Sequence, residues 1–168
     1  MCLFSGSGQV AFAIIMALCI VLTGVAAFKQ GEGKLHTWSC LLDEKDCTKL
    51  EFKHRKFMQL VAGFVCTSFI LEILAMLYNF SIVCLCFFRD YALHPLTWFA
   101  FLIFGFLLAA MIIFSAAHNS GNGYYPKGEE YGWGSLCLIF AIILSFLNLI
   151  IACVALCFAD VSVFSVSL

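Results

Sequence analysis

The chain has 168 residues, of which 64% are hydrophobic and 11% are charged, with a net charge of -1. This composition excludes an ordinary water-soluble domain, and the absence of a basic tract argues against nucleic-acid binding. A hydrocarbon core ~30 Å thick needs about 20 apolar residues per helix, so the chain has enough apolar sequence for four spans and too little remainder for a second domain.

The first apolar run covers residues 10–28, and we interpret it as a retained membrane span. The alternative is a cleaved signal peptide. However, the preceding residues contain no Lys or Arg, and the run is longer than the apolar region of a typical signal peptide. The sequence therefore favours a first span at 10–28.

A polar segment follows at 29–56, and we predict that it is the first aqueous loop. It contains seven of the nine Lys and Arg residues and five of the ten acidic residues. Cys40 and Cys47 are the only two of ten cysteines in polar sequence, since a thiol within an apolar run behaves as a small hydrophobe. From the residues alone, the pair is either a disulfide or two free thiols.

The second apolar run, 57–88, would be about 48 Å long as a helix, which exceeds one bilayer core. Either the helix tilts and protrudes, or it breaks near Tyr78-Asn79. We predict a span at 57–79 with an interfacial extension that carries Cys84 and Cys86, both candidates for S-palmitoylation. Asn79-Phe-Ser81 matches a glycosylation acceptor, but in this position it is out of reach of the lumenal enzyme.

Two further runs complete the pattern. Arg89-Asp90 is predicted to be a very short turn, and Pro95 suits the first turn of a new helix with a span at 96–117. A Gly- and Asn-containing segment at 118–131 separates the third span from the fourth, which is predicted at 132–159. This segment is predicted to be the second loop on the side of the membrane where the loop 29–56 lies. The sequence thus predicts one domain, residues 1–168: an all-α, integral membrane four-helix bundle with both termini on one side of the membrane.

Glu72 is the most costly residue in this arrangement, because an unpaired carboxylate inside an apolar helix costs several kcal/mol. We predict an intramembrane polar contact, with Asn148 and Ser145 on the fourth helix or Ser68 and Thr67 nearby as hydrogen-bond partners. The alternative is a neutral acid that faces the bundle interior.

Catalytic patterns are missing from the sequence. The four histidines are scattered over three loops, and no HExxH or GxSxG motif occurs. We therefore predict that the chain is not an enzyme and has no metal site and no cofactor.

Two observations disagree on orientation. Eight Lys and Arg residues lie in the first and third inter-helix segments together, and only one lies in the second. The positive-inside rule therefore places the termini outside. Paired cysteines in a polar loop are instead typical of an oxidising compartment, which places the first loop outside and the termini inside.

The order of several residues resembles the peripheral myelin protein, epithelial membrane protein and claudin superfamily of four-span proteins, which includes calcium-channel gamma-like members. The family has a Gly-Leu-Trp, Cys, Cys signature in its first extracellular loop. This chain has, in the same order, Gly33, Leu35, Trp38, Cys40 and Cys47.

The resemblance continues along the chain in Arg55-Lys56-Phe57-Met58 at the start of the second span and in Tyr131-Gly-Trp133-Gly134-Ser at the start of the fourth. It implies cytoplasmic termini, a Cys40–Cys47 disulfide, extracellular loops at 29–56 and 118–131, and a plasma-membrane location. Both loops are short, and the first is about half as long as a typical claudin first loop.

The resemblance also implies a function. We expect a claudin-like membrane interaction protein that acts in cell–cell contact or membrane organisation through its extracellular loops and helix faces. The alternative is an auxiliary subunit of an ion channel or receptor in the same membrane. The expected partners are the lipid bilayer and another membrane protein, not nucleic acid. The apolar carboxyl terminus, Val166-Ser-Leu168, is a candidate for PDZ-type binding.

Overall fold

The computed structural model describes the backbone of residues 2–28, 52–85, 89–119 and 133–166, and side chains within 8–28, 59–82, 94–116 and 134–157. The described chain forms four helices: α1 (Cys2–Phe28), α2 (Phe52–Leu85), α3 (Arg89–Asn119) and α4 (Trp133–Val166). Each contains an apolar segment long enough to cross a membrane, at 8–28, 59–82, 94–116 and 134–157. Over the described residues, the prediction of an all-helical chain with four helices long and apolar enough to cross a membrane is thereby confirmed.

The helices form a closed ring in chain order. α1 packs against α2 and α4, and α3 packs against α2 and α4, whereas the diagonal pairs are not in contact over the described residues. The closest packing joins α2 to α3 and α1 to α4, and the least extensive joins α1 to α2. Gly8 lies next to Ala155, so α1 begins where α4 ends, at one end of the bundle.

The buried residues of each helix recur mainly in steps of three and four. On α2 they include Val61, Val65, Ser68, Glu72, Ala75, Asn79 and Ile82; on α3 they are Leu96, Ala100, Ile103, Leu107, Ala110 and Phe114. A seven-residue repeat keeps one face of a helix turned toward its neighbours, as in coiled coils and four-helix bundles. This repeat defines the inner face of every span.

The helices extend beyond the predicted spans. α2 begins at Phe52, inside the predicted loop 29–56, and continues without a break past Asn79 to Leu85. α4 continues past Asp160 to Val166. The difference has a physical reason: hydropathy marks the part of a helix that lies in hydrocarbon, whereas a helix can continue into water.

The start of α3 corrects a more specific expectation. Arg89 and Asp90 are not a turn but the first two residues of the helix, and Pro95 lies inside the helix instead of in its first turn. Proline has no backbone N–H to donate to the preceding turn. The sequence before Pro95 nevertheless stays helical, so the proline did not mark the helix start.

Candidate functional site

The main polar contact inside the membrane joins the centre of α2 to α1. Glu72 is fully buried, and its Oε1 atom accepts a hydrogen bond from Thr23 Oγ1 at 3.0 Å. The Cys19 thiol lies 3.3 Å from the same oxygen and 3.4 Å from the backbone oxygen of Ala141 on α4. Cys19 therefore brings together three helices around one carboxyl group.

The helical repeat explains why these side chains meet. Cys19 and Thr23 are four residues apart on α1, as are Ser68 and Glu72 on α2, so each pair occupies one face of its helix. All four residues are completely buried. Glu72 is also the only Asp, Glu, Lys or Arg in the four apolar segments, so these segments contain no Lys or Arg to neutralise it.

A second polar contact links the same two helices nearer the end of the bundle where the termini lie. Asn79 Nδ2 donates to the backbone oxygen of Gln9 at 3.3 Å. Both side chains are buried, and Gln9 Nε2 and Asn79 Oδ1 have no hydrogen-bond partner among the described residues. The asparagine of the glycosylation-like motif, Asn79, thus has its side chain in the packed interior of the span.

Apolar packing completes the contact between α1 and α2 at the opposite end. A methyl group placed on Gly24 would lie 3.2 Å from the ring of Phe69, and Phe28 meets the same ring edge-on at 5.5 Å between centroids. Gly24 therefore permits the close approach of the two helices. We call the three contacts, at Gln9–Asn79, at Cys19/Thr23–Glu72 and at Gly24/Phe28–Phe69, the α1–α2 seam.

The expected partners of Glu72 on α4 need correction. Ser145 Oγ donates to Ile142 of its own helix at 2.9 Å, and Asn148 Nδ2 points to Met16 Sδ at 3.8 Å. Thr67, also proposed, is exposed and donates to Gly63 O at 2.8 Å. The hydrogen-bond donors to Glu72 are instead on α1, because α2 and α4 are diagonal in the ring.

Thr23 and Cys19 were missed by the sequence reasoning, although a signal was present. The polar residues of the spans share the seven-residue repeat: Gln9 and Thr23 are 14 residues apart, and Glu72 and Asn79 are seven apart. In an apolar run, a polar residue marks the inner face more clearly than a leucine does, because it alone is costly in lipid.

The other predicted site residues fall mainly outside the described part of the chain. This applies to the proposed disulfide, Cys40 and Cys47; to the loop signature, Gly33, Leu35 and Trp38; and to Cys86. Cys84 lies on α2, in a part where only the backbone is described. Within the described side chains, Cys19, Cys66, Cys137, Cys153 and Cys157 are free thiols, and no cluster suits a metal ion.

Some small residues of the spans lie in the core of the bundle, and others lie on the outside of the helices. Ala110 is completely buried in the core, whereas Gly105 is on the outside of α3, and a methyl group added there or at Gly63 would meet nothing within 4 Å. Gly63 and Gly105 therefore do not serve contacts inside the bundle.

Comparison with known proteins adds no relative. No protein-family model, no curated protein and no solved structure matches this chain.

Proposed function

We propose that this chain is a claudin-like membrane interaction protein of the plasma membrane, with cytoplasmic termini. In this proposal it acts in cell–cell contact or membrane organisation through its extracellular loops and helix faces, and not as an enzyme. The observation that carries the proposal is where the polar side chains of the spans lie. The polar groups with the highest cost in lipid form contacts between the chain's own helices.

The outer surface supports this proposal. It is formed by large apolar side chains, among them Val21, Leu77, Phe80, Trp98, Phe101 and Ile112. Even exposed hydroxyl groups are bonded within their own helix: Thr67 to Gly63, and Ser81 to Leu77 at 2.9 Å. Such a surface suits lipid tails or another apolar helix, where packing and not charge determines association.

Cell mixing tests the contact function. Two cell populations would express the full chain with different fluorescent tags and then be grown together. We expect both tags to be enriched where two expressing cells touch, and not where an expressing cell touches an untransfected one. Uniform surface distribution at all contacts would contradict a role in adhesion.

The second candidate is an auxiliary subunit of a channel or receptor, and the outer face of α3 favours it. Trp98 and Phe101 are both exposed and pack edge-to-face at 6.2 Å, one turn from the open space beside Gly105. Open space next to two exposed aromatic rings suits an apolar helix of a larger protein.

Purification in mild detergent distinguishes this candidate. A tagged full chain is expected to retain a large multi-span protein, and Gly105→Leu, which occupies the open space beside the rings, should lose it. Gly63→Leu on the outside of α2 is the matched control and should retain it. Equal recovery with both variants would contradict a contact at α3.

A further inference from the structure

The environment of Glu72 leaves two buried polar atoms unpaired. Oε1 accepts from Thr23 and Cys19, but Glu72 Oε2 and Ser68 Oγ have no hydrogen-bond partner among the described residues. Both residues have no solvent exposure. Ser68 is one helical turn before Glu72 on the same face of α2, so the two unpaired oxygens belong to one small site.

Among the side chains that the structure describes, the surrounding helices supply no Lys or Arg to Glu72. On α1 the titratable group that faces Glu72 is the Cys19 thiol, which is neutral when it donates a hydrogen bond. On α3 the titratable group in the described span is the exposed His94, at the far end from this layer. On α4 the titratable groups are Cys137, which is half-buried, and the exposed Cys153 and Cys157.

An ionised Glu72 would therefore be a buried, unpaired charge near the middle of the bilayer, which is one of the most costly arrangements in a membrane protein. A single proton removes the charge. If the proton is on Oε2, the carboxyl group becomes a donor on that side while Oε1 remains an acceptor for Thr23 and Cys19. The Ser68 hydroxyl is an unpaired acceptor one helical turn away on the same face of α2.

We propose that Glu72 is a buried proton-binding site, in which the carboxyl group carries its proton on Oε2 and, after a small rotation of the side chains, donates it to Ser68 Oγ, and that this neutral acid joins α2 to α1. The location gives the site a structural role. It lies in the seam between the two helices that pack least extensively in the ring, where hydrogen bonds replace part of the missing apolar contact. The inference does not depend on the proposed interaction function.

Infrared spectroscopy of the full chain reconstituted in lipid vesicles at neutral pH tests the site directly, because a protonated carboxylic acid has a carbonyl stretching band separate from those of carboxylates. We expect the difference between the wild-type and Glu72→Gln spectra to show one such band. If the difference shows carboxylate bands instead, Glu72 is ionised and the proposal is overturned.

Two variants test the hydrogen bonds of the acid. Ser68→Ala should shift the carbonyl band because the acidic O–H loses its acceptor, and Thr23→Val should shift it because Oε1 loses a donor. Thr67→Val, on the exposed side of α2, is the control and should leave the band unmoved. A band unmoved in Ser68→Ala but shifted in Thr23→Val would overturn the assignment of Ser68 as the acceptor.

Discussion

The variant Glu72→Lys is expected to lose most of its folded, monodisperse protein, whereas Glu72→Gln should retain it. Lysine at this position places an ammonium group in a fully enclosed site near the middle of the α2 span, where it cannot reach water. On insertion scales a central lysine costs about 2.5–3.5 kcal/mol, and this one would also have no oxygen to accept the Thr23 hydrogen bond. Glutamine keeps both the size of the side chain and the accepting oxygen.

Fluorescence-detected size exclusion of tagged chains in mild detergent measures this difference as the fraction in the monodisperse peak. Glu72→Gln controls for loss of the acidic group. If the lysine variant gave the wild-type profile, Glu72 could not be enclosed. If the glutamine variant were as damaging as the lysine variant, the acid itself and not its hydrogen-bonding shape would be essential.

Two adjacent leucines on α3 provide the second large expected effect. Leu107 is completely buried in the core, and Leu108 is 39% exposed on the outer surface. Leu107→Ala should destabilise the bundle by about 2–5 kcal/mol because it leaves a cavity in packed surroundings. We expect the lower part of that range, since lipid tails are as apolar as leucine and only packing is lost.

Leu108→Ala is the matched control, because it removes the same atoms from a side chain that faces lipid. Its expected effect on unfolding in mixed micelles of mild detergent and dodecyl sulfate is close to zero. Similar losses for the two variants would mean that the inner face of α3 is wrongly assigned.

The four spans could be predicted from the sequence because the requirement is simple. Each run of about 20 apolar residues must satisfy its backbone hydrogen bonds internally, and only a helix does so within a single segment. The ends of the helices could not be predicted equally well. Beyond the hydrocarbon the apolar pattern stops while the helix continues, as at Phe52 before the second span and at Val166 after the fourth.

The location of Glu72 in the interior follows from its cost in lipid, but its partners do not. The sequence predicted contacts on α4 or within α2, and the observed donors Thr23 and Cys19 are on α1. Hydropathy identifies which segments cross the membrane and says nothing about which helices are neighbours in the ring. That order depends on packing, and here it makes α2 and α4 diagonal.

The spacing of the polar residues in the spans also indicates which faces of the helices point inward. Gln9 and Thr23 on α1 and Glu72 and Asn79 on α2 recur in multiples of seven, and all four are buried. The shared repeat places these residues on the inner faces of α1 and α2, and the observed packing brings Asn79 to Gln9 and Thr23 to Glu72. The loop signature and the cysteine pair, Cys40 and Cys47, offered no comparable repeat, and they remain predictions based on a family resemblance.

A double-mutant cycle between Thr23 and Glu72 tests most directly the claim that polar side chains inside the membrane join α1 to α2. Unfolding free energies would be measured for Thr23→Val, Glu72→Leu and the double variant, with Thr67→Val in place of Thr23→Val as the control. We predict a coupling of about 0.6–1.7 kcal/mol for Thr23 with Glu72 and none for Thr67 with Glu72. Additive effects at Thr23 and Glu72 would contradict the seam described for this bundle.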